Sequence, residues 1–408
     1  MTDPDALADR VQDGELRLHE LEDHADYDTA ATARRLLVER ETETELETIS
    51  DYTFPAERAE PNVENMIGAA QVPLGVVGPV AVSGGAADGE HYLPLATTEG
   101  ALLASVNRGL SVIRVAGGAD ARVTKTGMTR APVFRVAGVV EASETVEWVE
   151  KNVDRLREAA ESTTSHGELL GVEPYVVGDS VYLRFAYDTK DAMGMNMATI
   201  ATGEACSIVE RETPASLVAL SGNLCSDKKP AAVNAVEGRG RSVTADVVIP
   251  GPLLEERLHT TADAIVEANT RKNLIGSAKA GSLGFNAHAA NVVGAAFLAT
   301  GQDEAQVVEG ANAITTMDAR DREDGASDLY ASVSLASLEV GTVGGGTALP
   351  TQSEALEILG LRGGGDPAGS NADALAEIIA VGALAGELSL LAALASRHLA
   401  SAHEDLGR

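Results

Sequence analysis

Apolar and polar positions change their spacing several times along this 408-residue chain. Over residues 1–50 acidic, helix-favouring residues dominate. In TARRLLVERETETELETIS, Arg34, Leu36, Leu37 and Leu46 make a weak amphipathic stripe. Pro55 and Pro61 mark its exit, and IGAAQVPLGVVGPVAV then reads as short strands and turns. TTEGALLASVNRGLSVIRVAGG predicts a loop opening a helix, with Thr98 as its cap and Glu99 in the first turn. From Val133 to Ala219 the texture shifts. VFRVAGVV and YVVGDSVYLRFAYD alternate as strands do, and VEWVEKNVDRLREAAES between them has the spacing of an amphipathic helix.

The remainder is rich in glycine and alanine. It predicts a helix from about Thr260 to Asn273, loops at GTVGGGTALP and LRGGGDPAGSN, and one long or broken helix from Asn371 to His403. The longest apolar run, Ile378 to Ala395, is interrupted by Glu387 and falls short of the ~20 clean residues expected of a membrane span. These shifts predict an α+β chain in three parts. Residues 1–50 form an N-terminal helical region, 51–132 and 220–408 a large domain, and 133–219 a small domain inserted into it. No repeat recurs at a fixed period.

Charge narrows the function classes. There are 62 acidic and 31 basic residues, a net charge of −31. Such a field repels phosphate backbones and anionic lipid, so neither nucleic acid nor a membrane surface is an expected partner. Disorder is excluded by the 44% hydrophobic content, which supplies a large core. Only seven of the basic residues are lysine. Abundant carboxylate with scarce lysine fits a halophile's surface, kept soluble where molar salt shortens the Debye length to about 3 Å. Cys206 and Cys225 have no disulfide or zinc spacing. With the polar N-terminus MTDPDALADR, the expected compartment is a reducing cytoplasm.

Taken singly, the chemical candidates have bland readings. GTVGGGT (341–347) does not match G-x-G-x-x-G and fits a tight turn better than a dinucleotide loop. DAMGMNMAT (191–199) suits a methionine-rich core segment, or a glycine-opened approach for a flat cofactor. SDKKP (226–230) places two of the seven lysines side by side. Glu99, Asp303 and His403 are unremarkable alone. There is no nucleophile elbow, P-loop or HExxH metal motif.

Together the motifs resemble the 3-hydroxy-3-methylglutaryl-CoA reductase family, in its biosynthetic archaeal and eukaryotic class. The resemblance runs in order through ENMIGAAQVPLGVVGP, TTEGALLASVNRG, MTRAPV, DAMGMNMAT, SGNLCSDKKPAAVNAVEGRG, RKNLIGSAKAGSLGFNAHAANVV, GQDEAQ, GTVGGGT and AGELSLLAALASRHLASAH. It implies a large domain around a central helix, with an inserted ferredoxin-like dinucleotide-binding domain. It also implies a homodimer or dimer of dimers with active sites at the interface. The implied reaction is four-electron reduction of HMG-CoA to mevalonate and free CoA by two NADPH. An NADH-linked degradative enzyme, and a catalytically silent acyl-CoA- or nucleotide-binding protein on the same fold, remain as alternatives.

Residue roles follow from the same resemblance. Lys228 matches the cation that stabilises the oxyanion built by hydride addition. Glu99 matches the proton-sharing glutamate, which burial would suit to its task. Asp303 matches the aspartate beside both, and His403 the histidine that protonates the CoA thiolate. Arg130, Ser221, Lys229 and Lys272 match the carboxylate-binding positions of the substrate, and Asn291 a hydrogen bond near the lysine. Ser105, Asn107 and Arg108 match the CoA site. Asp191, Met193, Gly194, Met195, Asn196 and Met197 match the NADP site. No metal is implied. Three departures stand out. TTSH (163–166) replaces the Ser-Arg of the animal enzymes, His259 replaces a CoA-phosphate lysine, and with Arg408 as the last residue their serine phosphorylation and membrane anchor are expected to be missing.

Overall fold

The computed structural model describes residues 3–323 and 326–396. Ten strands carry the architecture: β1 (Leu74–Gly84), β2 (Asp88–Ala96), β3 (Ala119–Arg130), β4 (Val133–Arg135), β5 (Glu168–Val177), β6 (Ser180–Asp188), β7 (Ser216–Ala219), β8 (Gly240–Ile249), β9 (Ala313–Asp321) and β10 (Ser327–Leu338). The larger sheet runs β2-β1-β3-β8-β10-β9, antiparallel at every step except β1 against β3. The smaller runs β7-β4-β6-β5 and is antiparallel throughout. Helices Val139–Lys151 and Val153–Glu161 connect β4 to β5, and helix Met195–Glu212 connects β6 to β7. That is the split β-α-β-β-α-β arrangement of a ferredoxin-like unit. Strand β3 belongs to both sheets, since Met128–Arg130 pairs with Phe185–Tyr187 of β6. One backbone therefore ties the inserted unit to the large sheet.

The helix Ser370–Ala395 is the centre of the main core, with nearly every residue from Ala372 to Ala393 buried. It is long and apolar enough to cross a membrane by length and composition, and its most apolar window is 83% buried inside the fold. Glu387 does not break it. Its carboxylate accepts hydrogen bonds from the Ala287 and His288 amides at 2.6 and 2.7 Å, and from the Thr315 hydroxyl at 2.7 Å. Glu377, ten residues back, receives the amides of Gly85, Ala86 and Ala87 at the β1–β2 turn. Both buried charges are paid for by donors that would otherwise lack partners. Helix Leu102–Val115 crosses the core helix at Gly109, where an added Cβ would lie 2.0 Å from the Ala385 carbonyl oxygen. Only glycine permits that approach.

Some local expectations are corrected. Of the stripe Arg34, Leu36, Leu37 and Leu46, the first three lie on helix Tyr27–Thr42, capped by Asp26 and left at Glu43 in a left-handed turn, so Leu46 falls outside it. The helix expected between the small-sheet strands breaks at Asn152 into two. The 260–273 helix gives way after Asn269 to a π-helical turn, Thr270–Gly276. The Asn371–His403 helix is described to Ala395, and His403 lies outside the described residues.

Candidate active site

The loop from Ser221 to Pro230 leaves β7 and carries Lys228. Asn223, Ser226 and Lys228 all adopt left-handed backbone angles, with φ of 63°, 47° and 59°. Such angles cost side-chain-bearing residues about 1 kcal/mol or more each and persist where the surroundings enforce them. Asn234 does part of that work. Fully buried, it donates through Nδ2 to the Cys225 carbonyl at 3.1 Å. The turn presents the Lys228 ammonium to Asp303 at 2.8 Å. Asp303 caps the short turn Glu304–Gln306 by accepting from the Ala305 amide.

This ion pair stands in the wall of a cleft of 890 Å³. Met193 to Met197 line it at the start of helix Met195–Glu212, opposite the glycine run 341–347. Added Cβ atoms at Gly344 or Gly345 would meet nothing within 4 Å, so this wall is backbone facing open space. At Gly341 a Cβ would lie 2.4 Å from the Met193 amide nitrogen, which locks the two walls together. GTVGGGT is thus a turn and also a cleft wall. Met193, Met195 and Met197 pack partly into the small core as well, so the core and cofactor readings of that segment describe two faces of one element. The geometry fits an extended dinucleotide, which needs a groove of this size and backbone it can approach closely.

Asp191 is a correction. It is 5% exposed, and its two oxygens accept the amides of Gly365, Gly369, Asn371 and Ala372 at 2.7–3.1 Å. Its carbonyl receives Thr342 at 2.7 Å. It pins the glycine loop and the start of the core helix, and it has no spare oxygen to offer a cofactor.

Glu99 lies elsewhere. With Ser105, Arg108, His288 and Asn291 it lines a second cavity of 160 Å³, which shares no lining residue with the Lys228 cleft. Asn291 donates to its Oε1 at 3.0 Å, so the partner of Asn291 is the glutamate, where a bond close to the lysine was expected. The helix begins at Leu102 with no side-chain cap. Thr98 therefore does not cap it, and Thr97 Oγ1 instead accepts the Glu99 amide. Glu99 is exposed in the single chain, contrary to the burial expected of it.

The other expected residues divide similarly. Arg130, at the end of β3, donates to Thr199 Oγ1 at 2.6 and 2.9 Å. Ser221 contacts Cys225 Sγ at 3.8 Å, and Lys229 Nζ donates to the Asp227 carbonyl at 2.7 Å. Lys272 stands exposed on the π turn. Ser105 and Arg108 both reach Ser389 of the core helix. Burial lowers the Arg108 guanidinium below its usual range. Asn107 accepts the Gly78 amide at 2.9 Å. Asn196 lies in the cleft lining.

Two acids next to the Lys228–Asp303 pair were missed, Asp227 beside the lysine and Glu304 in the cleft lining. Burial alone would raise the Asp227 carboxyl. The Gln306 amide and the cations Arg239, Lys228 and Arg130 outweigh it and hold the group low. Glu304 moves the other way, pushed up to about 7 by burial and then by Asp303. Both adjoin singled-out residues in SDKKP and GQDEAQ, but neither has a spacing that marks it. Among the described residues no group of three or more His, Cys, Asp or Glu is placed to hold a metal.

Comparison with known proteins adds three findings. The family model described as hydroxymethylglutaryl-coenzyme A reductase matches residues 30–408. The 3-hydroxy-3-methylglutaryl-coenzyme A reductase of Haloferax volcanii is 74% identical over 408 residues, all of both chains. That of Halobacterium salinarum is 73% identical over 407 residues, covering 100% of this chain and 99% of the other. Among solved structures, the Streptococcus pneumoniae reductase matches with a TM-score of 0.67 at 21% identity, over 88% of this chain and 96% of that one. A class II structure from the same organism, titled as bound to NADPH in open conformations, has a TM-score of 0.67 at 20% identity, over 93% and 100%. At such identity the structural likeness speaks for the fold.

Proposed function

Because this chain belongs to the hydroxymethylglutaryl-coenzyme A reductase family, its reaction is reduction of HMG-CoA to mevalonate and free CoA, and we propose that the Lys228–Asp303 cleft is where it occurs. Two NADPH and two protons balance the conversion of one thioester to one alcohol and one thiol. NADPH supplies the hydride, and the Met193–Met197 segment with the glycine wall would hold it.

The residues of the chain carry the rest. Each hydride addition leaves charge on the carbonyl oxygen, and the Lys228 ammonium is the cation placed to receive it. Asp303, at 2.8 Å, orients that ammonium. Arg130, Lys229 and Lys272 supply positive charge for the substrate carboxylate, with Ser221 as a hydroxyl partner. Ser105 and Arg108 face CoA beside the Glu99 cavity. Glu99, oriented by Asn291, shares a proton with the substrate oxygen, and His403 returns one to the thiolate so that CoA leaves neutral.

The observation that carries this reading is the ion pair inside a dinucleotide-sized cleft. Since Glu99 lines a different cavity of the same chain, a complete site requires two copies, each giving one half. We read the chain as a homo-oligomer on that ground. Mixing HMG-CoA and NADPH with the protein in molar salt should consume two NADPH per free thiol. Absence of thiol, or strong preference for NADH, overturns the reading.

A further inference from the structure

Beneath the cleft lies an ionic cluster with no task in the chemistry above. Arg239 is completely buried, and so are Glu309 and Glu339. Its Nη1 lies 2.8 Å from Glu309, 3.0 Å from Glu339 and 3.2 Å from the Gln306 side-chain oxygen. Its Nη2 reaches Asp227 at 3.1 Å and the Met195 sulfur at 3.8 Å. Gln306 closes the ring by donating to Asp227 at 2.8 Å. Asn234 donates to Glu309 at 3.2 Å as well as to the Cys225 and Ser226 carbonyls.

The backbone around Arg239 is shaped for this placement. Gly238 and Gly240 both have positive φ, 74° and 72°. Added Cβ atoms would lie 2.4 Å from Ser242 Oγ and 2.7 Å from the Leu338 carbonyl oxygen. The sequence GRG therefore delivers one guanidinium to a place its neighbours could not otherwise vacate.

Stability does not account for such a cluster. Burying several charges costs several kcal/mol per ion, and an apolar cluster of the same volume is commonly as stable. What the cluster does is join three pieces of the cleft. Asp227 adjoins Lys228. Gln306 and Glu309 follow Asp303 on the next turn and short helix. Met195 begins the helix of the dinucleotide wall. Among the described residues, no other side chain bonds to all three.

Resting on the functional reading above, we propose that Arg239 is a positioning residue that sets the lysine loop, the aspartate turn and the dinucleotide wall in mutual register. It touches neither substrate nor cofactor. Its planar fork serves several acceptors in fixed directions, which a lysine cannot do. Burial and then Glu309 push the Glu339 carboxyl well above the usual carboxylate range.

The test uses the full chain in high salt, with Arg239→Lys compared to wild type. A misplacement of about 1 Å costs about 100-fold in rate, so kcat should fall by about that factor. The KM values for HMG-CoA and NADPH should stay near wild type, because the binding groups remain. Circular dichroism and a melting curve establish that the variant is folded at the assay temperature. Glu309→Gln is the second variant, keeping the shape but weakening the hold on Arg239, and should lower kcat in the same direction by less. A folded Arg239→Lys protein with unchanged kcat, or with a raised KM alone, overturns the proposal. Wild-type protein that releases no thiol rejects the functional reading instead.

Discussion

Asp303 lines the Lys228 cleft, Asp191 lies one residue before its wall at Ala192, and both sit in motifs that carry the family resemblance. Their surroundings differ completely. Asp191 receives four backbone amides and is sealed. Asp303 receives one amide and the Lys228 ammonium at the cleft surface. The lesson is that a motif aspartate is assigned by its partners. Saturation by backbone amides suits Asp191 to a scaffold role, whereas pairing with a partly exposed lysine in an open groove suits Asp303 to the chemical role proposed for it. Glu377 and Glu387 extend the first class, since both spend their charge on loop amides around the core helix.

This contrast breaks most visibly at Lys228. Lys228→Ala should lower kcat by about 1000-fold, the upper range for loss of one preorganised oxyanion donor. Its melting temperature should hardly change, because the side chain is 44% exposed. Steady-state rates beside melting curves check both halves. Asp191→Ala should do the reverse. It strips charged partners from four amides, so unfolding free energy should drop by about 3 kcal/mol in denaturant titrations. Turnover per folded molecule should fall far less. If Asp191→Ala abolishes turnover in a stable protein, the scaffold assignment fails.

Smaller effects sharpen the picture. The net charge of −31 should make the unfolding midpoint rise from 0.1 M to 2 M KCl as self-repulsion is screened; a flat response contradicts the halophile reading. Glu304 gives the smallest signal. Its carboxyl rises from 4.5 to about 7 on folding, so the folded state binds the proton more tightly. That stabilisation is complete below pH 4.5 and is lost as pH climbs through about 7. Solvent in the open cleft limits its size. Urea midpoints of Glu304→Gln and wild type at pH 5 and pH 8 should show a shallower decline for the variant, and parallel declines would contradict the shift.

Much of this was legible in order and texture. The alternation after Val133 foretold the small sheet, and the ordered motifs led to the expectation of Lys228 beside Asp303, which lie 2.8 Å apart. Partners far along the chain were not legible. Asp191 meets Gly365–Ala372 about 180 residues away, as the separations of 174 to 181 show. Arg239 meets Glu339 across 100 residues, and no local pattern predicts that pairing. The π turn at Thr270–Gly276 was invisible because its composition is that of an ordinary helix. Thr98 looked like a cap because threonine favours that position. The chain instead turns at Ala101, in the left-handed region at φ 67°, and Glu99 stays free to meet Asn291.

If the Lys228 cleft and the Glu99 cavity are halves of one site, as proposed, a second copy of the chain completes it. Mixing Lys228→Ala with Glu99→Gln protein, after dissociation and reassembly, tests it most directly. Each variant alone should be inactive, and the mixture should recover about a quarter of the wild-type rate, because half the dimers are mixed and each has one intact site. A mixture as inactive as its components would show that both residues act within one chain, and the divided site would be wrong.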